Sequence, residues 1–137
     1  MHTSNIFVTV DAVVFRKTNH QNMVLLIQRK NEPFKNAWAL PGGFVDENED
    51  LESAAKRELT EETGVIIDKM QQLSAFGKPD RDPRQRTISI AFLAFADESH
   101  NPVAADDAAD AGWFPVEKLP KLAFDHLQII NLALTKI

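Results

Sequence analysis

Apolar residues fall into short runs along the chain, separated by polar stretches and by stretches that contain glycine or proline. The runs are rich in Val, Ile, Leu and Phe, and such runs are typical of strands because these side chains suit a pleated, partly buried surface. The first two runs flank a polar turn over 17–22, so we predict that they form a hairpin. The predicted strands cover 6–15, 23–30, 38–40, 71–77, 87–96 and 113–116, and the charged segments 78–86 and 97–110 are predicted loops.

One helix is predicted over 50–63, where residues of high helix propensity follow one another without Gly or Pro. Asp50 is suited to be its N-cap, because a short carboxylate can accept a hydrogen bond from the first turn. Gly64 is suited to end the helix, because it adopts the left-handed conformation at little cost. Asp50 and Gly64 thus bound the same segment for which the residue propensities predict a helix.

A second helix is predicted near the C-terminus, with Asp125 as its N-cap. Gln128 would complete a capping box there, and Phe124 and Ile129 have the spacing of a hydrophobic staple. Strands interleaved with two helices predict an α/β fold of the α+β type, an α/β/α sandwich with a central mixed β-sheet. The length of 137 residues predicts a single domain over 1–137.

Composition and charge exclude several classes of protein. Apolar residues make up 44% and charged residues 26% of the chain, which excludes a disordered, collagen-like or disulfide-rich protein. A net charge of −5 argues against a nucleic-acid partner, although a bound cation would still allow an anionic small molecule. No apolar run reaches the roughly 20 residues of a membrane helix, so no membrane partner is expected. Without a signal peptide or cysteine, a cytoplasmic location is the default expectation.

Acidic residues stand on the side of the first helix that should be packed. At about 100° per residue, Glu58 and Glu62 lie within about 20° of Leu51, on the stripe that also contains Ala55, and Glu61 lies about 80° to one side. The first two carboxylates repel each other, and the helix dipole disfavours anions in the C-terminal half. A bound divalent cation would offset both effects, and oxygen ligands favour Mg²⁺ or Mn²⁺ over Zn²⁺. The alternative is a solvated acidic face in which Glu61 pairs with the arginine four residues before it.

The segment from Gly43 to Val65 is more informative than its glutamates alone. It fits the pattern G-x5-E-x7-R-E-U-x-E-E-x-G-U, where U is a bulky aliphatic residue, at every specified position. In this the chain resembles the Nudix family, whose motif this is. The resemblance implies the Nudix fold and Mg²⁺- or Mn²⁺-dependent hydrolysis of a nucleoside diphosphate linked to another moiety.

The resemblance also implies roles for individual residues. Glu49 and Arg57 would pair, orient the loop and the helix, and form part of the catalytic set. The backbone of Gly42 would approach the metal and that of Gly43 the pyrophosphate, which the lack of a side chain permits. The glutamates that would ligate the metal and complete the catalytic set are Glu58, Glu61 and Glu62.

A further carboxylate can deprotonate the attacking water, and in several Nudix groups it lies on a loop outside the motif. The candidate general bases in this chain are Asp106, Asp107 and Asp110, together with Glu98. For each of them a solvated side chain in an acidic loop is the alternative.

Three stretches outside the motif, 29–44, 80–84 and 122–126, resemble the ADP-ribose pyrophosphatase branch. This resemblance implies that ADP-ribose is cleaved to AMP and ribose 5-phosphate. Guanidinium groups bind phosphate oxygens and aromatic rings can stack on adenine, whereas surface ion pairs and core packing are the alternatives. No tyrosine is available for stacking, and His126 is expected at the surface. The substrate-binding candidates, besides Gly43, are Arg81, Arg84, Arg86, Trp38 and Phe34.

Two other functions stay open. A MutT-like nucleoside triphosphate pyrophosphohydrolase would release inorganic pyrophosphate. A nucleotide sensor would keep the fold without turnover, but family members of that kind often carry a DNA-binding extension or a broken motif, whereas here the motif is intact and the chain ends soon after the last helix. The expected partner is a nucleotide, and a homodimer stays open because dimers are common among ADP-ribose-hydrolysing relatives.

Overall fold

A computed structural model describes residues 5–105 and 108–137 of the chain. Within these residues, seven strands and two helices follow one another along the chain. They are β1 (Phe7–Thr18), β2 (Gln21–Arg29), β3 (Trp38–Ala39), β4 (Gly42–Phe44), α1 (Leu51–Thr63), β5 (Gln71–Phe76), β6 (Thr87–Phe95), β7 (Ala108–Pro115) and α2 (His126–Leu134).

The strands form one mixed sheet in the order β3-β2-β1-β6-β5, with β4 paired to β1 and β7 paired to β2. The β1–β6 pair is parallel, and the other pairs are antiparallel. A parallel pair needs a long connection, and here the chain between β1 and β6 includes α1. The glycines of β4 pair with Val10 and Asp11 of β1, and β4 also contacts α1.

The two helices cover opposite faces of the sheet. Val10 and Val14 of β1 belong to a buried cluster that includes Leu59 of α1. Val13 on the same strand belongs to a second cluster, which includes Ile129 of α2. Alternate residues of β1 therefore face different helices, as expected for a strand that is buried on both sides. The predicted α/β/α sandwich with a central mixed sheet is confirmed.

The first hairpin is tighter than the sequence suggested. Pairing continues to Thr18 and Gln21, so the turn consists of Asn19 and His20 and not of the predicted 17–22. Both turn residues have positive φ, 50° and 67°, as a two-residue turn of the type I′ class requires. Polar side chains in the ends of both strands hid this pairing from the hydrophobic pattern.

Both predicted ends of α1 are confirmed. The Asp50 side chain accepts a hydrogen bond from the Glu52 N–H at 3.3 Å. Gly64 has a φ of 73°, and its N–H donates to the Thr60 carbonyl. The last turn of α1 contains no basic residue that would balance its acidic side chains.

The predicted capping box and staple of α2 are wrong. Asp125 is the N-cap residue, but its side chain makes no capping hydrogen bond. Its carboxylate instead binds the guanidinium of Arg81. Phe124, whose φ is 52°, packs on Phe34 and belongs to a different cluster from Ile129. The ion pair with Arg81 thus replaces the capping hydrogen bond of Asp125, and the contact with Phe34 replaces the staple.

Two strand segments did not follow from the sequence pattern. Gly42–Phe44 forms β4, although glycine has low strand propensity. Residues 108–110, predicted as part of an acidic loop, begin β7 and pair with the end of β2. In both cases the neighbouring strand imposes the extended conformation. Within residues 5–105 and 108–137, no helix combines the length and apolarity needed to cross a membrane.

Candidate active site

A cleft of about 470 Å³ opens where the glycines of β4, the end of α1, the loop over 78–86 and the start of α2 meet. Two chemically different sets of side chains line it. The acidic set is Asp11, Glu32, Asp46, Glu58, Glu61, Glu62 and Asp82. The basic and aromatic set is Arg29, Lys30, Arg81, Arg84, Phe44, Phe124 and His126.

Arg57 connects the loop before α1 to the glutamates on it. Its Nε and Nη2 donate to the two carboxylate oxygens of Glu49 at 2.6 and 2.9 Å. Its Nη1 donates to Glu58 at 2.8 Å and to Glu61 at 3.3 Å. The guanidinium hydrogen bonds lower the pKa of Glu49 to about 2. The fork thus fixes the loop, the helix and two cleft carboxylates relative to one another.

Glu62 lies under the β4 glycines. Its Oε1 accepts the N–H of Gly42 at 2.8 Å. Burial raises the pKa of Glu62 to about 8, opposed by the Gly42 hydrogen bond and reinforced by the nearby carboxylate of Glu58. Burial also raises the pKa of Glu58, against the effect of Arg57. Burial therefore disfavours ionisation of both carboxylates unless more positive charge lies beside them.

The glycines bring backbone and carboxylate closer than any side chain would allow. A Cβ on Gly43 would lie 2.6 Å from Oε2 of Glu58. A Cβ on Gly42 would lie 2.1 Å from the Val10 carbonyl oxygen. Both positions therefore require glycine for close approach.

The donor set fits a hard divalent cation. Glu58, Glu61 and Glu62 offer oxygen atoms alone, and a cation beside them would favour the ionised form that burial disfavours. Among the described residues, no three carboxylate or imidazole groups lie close enough together to form a complete ligand set. The Arg57 Nη1 donates to both Glu58 and Glu61, and the Glu61 side chain is 46% exposed. A cation held by all three glutamates would compete with the guanidinium for Glu61.

The loop over 78–86 presents the predicted arginines in three different ways. Arg81 is 4% exposed and makes a bidentate ion pair with Asp125 at 2.9 and 2.6 Å. Arg84 is 42% exposed, lines the cleft and pairs with the buried Asp82. Arg86 donates to the Gly77 carbonyl and does not line the cleft. The structure thus brings two of these three arginines to the cleft.

The predicted aromatic residues lie outside the cleft lining. The Trp38 ring packs on Phe114, with centroids 4.6 Å apart, in the cluster beneath α2. The Phe34 ring contacts Phe124 at 4.8 Å, and Phe124 lines the cleft. The guanidinium carbon of Arg29 lies over the Phe124 ring, 5.0 Å from its centroid. The aromatic side chains that line the cleft are therefore Phe44, Phe124 and the imidazole of His126, and not the predicted Trp38 and Phe34.

The candidate general bases are not brought to the cleft in the described part of the chain. Asp106 and Asp107 lie outside the described residues. Asp110 is an exposed residue of β7 whose carboxylate accepts the N–H of Ala111. Glu98 is exposed near the end of β6. Neither Asp110 nor Glu98 lines the cleft.

His126 is buried, so the prediction that it lies at the surface is wrong. Its Nδ1 accepts the N–H of Leu40 at 3.0 Å, and its Nε2 lies 3.4 Å from the Asp11 carboxylate. Burial lowers the pKa of His126 and favours the neutral ring. A sequence signal for this burial does exist, because His126 shares a helical face at i, i+3, i+4 and i+7 with the buried residues Ile129, Ile130 and Ala133.

Sequence reasoning also missed Asp11, Arg29 and Asp82, which line the cleft. Asp11 and Arg29 lie within or at the end of apolar strands, and a charged residue inside such a run is the signal that could have identified them. Asp82, which belongs to the charged loop over 78–86, is buried.

Comparison with known proteins identifies the family. The sequence model of the NUDIX domain family matches residues 6–133 of the chain. The chain belongs to the Nudix family, and the family prediction is confirmed.

Relatives also bear out the predicted branch. An ADP-ribose pyrophosphatase of Methanocaldococcus jannaschii is 46% identical over 124 residues, which are 90% of this chain and 70% of that protein. The ADPR responsive transcriptional repressor NtrR of Acinetobacter baylyi is 34% identical over 133 residues, and the match spans 94% of this chain and about half, 53%, of the repressor. The NUDIX domain of Shewanella oneidensis NrtR, solved as a complex with ADP ribose, superposes with a TM-score of 0.89 at 37% identity, covering 98% of this chain and 90% of that one.

Proposed function

We propose that this protein hydrolyses the pyrophosphate bond of ADP-ribose to give AMP and ribose 5-phosphate, with Mg²⁺ or Mn²⁺ as cofactor. The observation that carries the proposal is a single cleft that combines the glutamates of α1, the close-approach glycines of β4 and several arginines. The similarity to an ADP-ribose pyrophosphatase supports this choice of substrate.

Glu58, Glu61 and Glu62, with the backbone of Gly42, would hold the cation. The chemistry that a bound cation supplies is neutralisation of the phosphate oxygens and a lower pKa for a bound water. Arg57 keeps the carboxylates in place through its hydrogen bonds to Glu58 and Glu61. These contacts hold the carboxylates at the cleft and so limit the rearrangement that binding would require.

Other residues of the chain would bind and orient the substrate. Gly43 lines the cleft, and its lack of a side chain makes room for the Glu58 carboxylate beside the backbone that a pyrophosphate would approach. Arg84 and Arg29 line the same cleft and can donate to phosphate or ribose oxygens. The Phe124 ring offers an aromatic face, supported by Phe34 behind it. Asp106, Asp107 and Asp110 stay as candidates for the residue that deprotonates water.

One assay panel tests the proposal. Purified protein is incubated with ADP-ribose, NADH, diadenosine polyphosphates, nucleotide sugars and (d)NTPs, each with Mg²⁺ or Mn²⁺, and the products are separated by chromatography. We expect equimolar AMP and ribose 5-phosphate from ADP-ribose as the preferred reaction. Inorganic pyrophosphate released from a triphosphate at a higher kcat/KM would assign a MutT-like activity instead.

A second candidate function is an ADP-ribose sensor, favoured by the similarity to an ADPR responsive repressor. In that case the cleft would bind ADP-ribose without turnover. Calorimetric titration in Mg²⁺ separates the two functions. Tight binding with no AMP formed after prolonged incubation would support the sensor.

A further inference from the structure

His126 is a buried titratable side chain that the proposed reaction does not use. It lies at the first position of α2, and its edge reaches the floor of the cleft. Its Nδ1 accepts the N–H of Leu40 at 3.0 Å, so this nitrogen must carry a lone pair. The proton of the neutral ring therefore resides on Nε2, which faces Asp11.

The backbone held by His126 leads directly to the glutamates. Leu40 is 2% exposed, so its N–H has no access to water. Pro41 has no N–H, and its carbonyl accepts the N–H of Ala12 at 2.8 Å. The next donor is the Gly42 N–H, which binds Glu62 at 2.8 Å. His126 thus fixes one end of a three-residue segment whose other end contacts Glu62.

The same imidazole also touches the opposite strand. Its Nε2 lies 3.4 Å from Oδ1 of Asp11, while the other oxygen of Asp11 accepts the Ser89 hydroxyl. Asp11 is paired with Gly42 in the sheet, and a Cβ on Gly42 would lie 2.6 Å from Asp11 Oδ1. His126 therefore contacts two neighbours of Gly42: Leu40, two residues before it, and Asp11, which is paired with it in the sheet.

We propose that His126 is a positioning residue, whose neutral ring holds residues 40–42 through the Leu40 N–H and so keeps the Gly42 N–H on Glu62. It acts without touching the reacting atoms. The kinetic part of this inference rests on the proposed hydrolytic function, whereas the hydrogen-bond part stands on the geometry alone. A small misplacement of backbone beside a reacting group is costly, because the effective concentration of aligned groups falls steeply with distance.

Three variants separate the contacts of the ring. His126→Asn places an amide oxygen near the position of Nδ1, so it retains an acceptor for Leu40. His126→Gln places its amide near the position of Nε2, so it can donate to Asp11 but offers no acceptor to Leu40. His126→Leu removes both contacts while it keeps the site apolar and filled. Urea unfolding of each variant shows which of them are folded.

The kinetic expectation concerns kcat and not KM. We expect kcat for ADP-ribose to fall on the order of tenfold in His126→Gln and His126→Leu, and to stay within about threefold of wild type in His126→Asn. KM should change little, because the ring makes no substrate contact in this proposal. If His126 contributed to stability alone, kcat would be similar in all three folded variants, and His126→Asn would show no recovery of kcat.

Nuclear magnetic resonance provides a measurement that is independent of turnover. Nitrogen chemical shifts of His126 in the wild-type protein near neutral pH should show an unprotonated Nδ1 and a protonated Nε2. Amide exchange at Leu40 and Gly42 should be slow in wild type and His126→Asn, and faster in the other two variants. This measurement is informative even if one variant fails to fold, because the wild-type tautomer alone tests the hydrogen bond.

Several results would overturn the proposal. A proton on Nδ1, wild-type kcat in folded His126→Leu, or an equal loss in His126→Asn and His126→Leu would each do so. If the wild-type protein hydrolyses no nucleotide, the proposed function fails by itself. The tautomer and amide-exchange data would then still decide whether His126 holds the 40–42 segment.

Discussion

At the scale of single residues, Glu62 is held by one contact that favours its charge and by surroundings that oppose it. The Gly42 N–H stabilises the carboxylate, while burial and Glu58 raise its pKa to about 8. A structural side chain would gain nothing from this arrangement, since a neutral amide could accept the same hydrogen bond. The arrangement suits a ligand whose charge is compensated by a cation.

Glu62→Gln tests this interpretation. We expect kcat to fall on the order of a hundredfold or more, because an amide is a poor cation ligand. The metal-free variant should unfold at the same temperature as wild type or a higher one, since the amide replaces a buried carboxyl group whose ionisation is disfavoured. Glu52→Gln, on the same helix but paired with Lys56 away from the cleft, is the control and should keep wild-type turnover. Wild-type rates in Glu62→Gln would refute the ligand role.

Gly43→Ala tests the close approach between backbone and carboxylate. The added Cβ would lie 2.6–2.8 Å from the atoms of the Glu58 carboxylate, so that side chain must move. We expect at least about a tenfold loss of kcat/KM, because displacing a ligand removes transition-state stabilisation. Gly77→Ala is a matched control, since its Cβ would meet its nearest neighbour at an ordinary 3.6 Å. Equal activity of the two variants would show that the approach at Gly43 is not needed.

At the scale of elements, the loop over 78–86 depends on α2 for its position. The Arg81 side chain is buried and donates from Nε and Nη2 to the two carboxylate oxygens of Asp125, 44 residues away in the sequence. This ion pair uses the carboxylate that would otherwise have capped α2. The neighbouring Arg84 lines the cleft, so the Arg81 ion pair would hold the loop while Arg84 contacts the proposed substrate.

Arg81→Ala should therefore destabilise the fold as well as the site. Removing one partner of this largely buried pair leaves the Asp125 carboxylate without its charged donor, and we expect the free energy of unfolding to fall by about 2 kcal/mol. KM for ADP-ribose should rise, because the loop loses its anchor. Urea unfolding and steady-state kinetics measure the two effects. Arg86→Ala, outside the cleft, should change neither by much, and similar behaviour of both variants would contradict the anchoring role.

The parts of the fold that could be predicted are those specified by local chemistry. The ends of α1 follow from Asp50 and Gly64, and the motif from Gly43 to Val65 predicts which glutamates meet at the cleft. The parts that could not be predicted depend on distant partners. Asp125 exchanges its capping bond for Arg81, and β4 is extended because β1 pairs with it. Local propensity cannot contain such information, since the partner lies far along the chain.

At the scale of the whole molecule, the net charge of −5 and the proposed anionic substrate are reconciled by the layout of the cleft. Carboxylates and guanidinium groups line one space, and Arg57 links the acidic side to the loop before α1. A bound cation would change the sign of the field where the pyrophosphate must lie. The acidic residues are then part of anion binding and not an obstacle to it.

Removal of divalent cations tests this arrangement in the intact protein. EDTA should abolish hydrolysis of ADP-ribose. The far-ultraviolet circular dichroism should stay unchanged, because the chain folds around an apolar core on both faces of the sheet. Adding Mg²⁺ or Mn²⁺ should restore activity and raise the unfolding temperature, because a cation that binds the folded state and not the unfolded state stabilises the fold. In Glu62→Gln that rise should be largely lost, whereas Glu52→Gln should show it in full. A cation-independent rate would show that hydrolysis needs no metal. An equal rise of the unfolding temperature in both variants would place the metal away from α1.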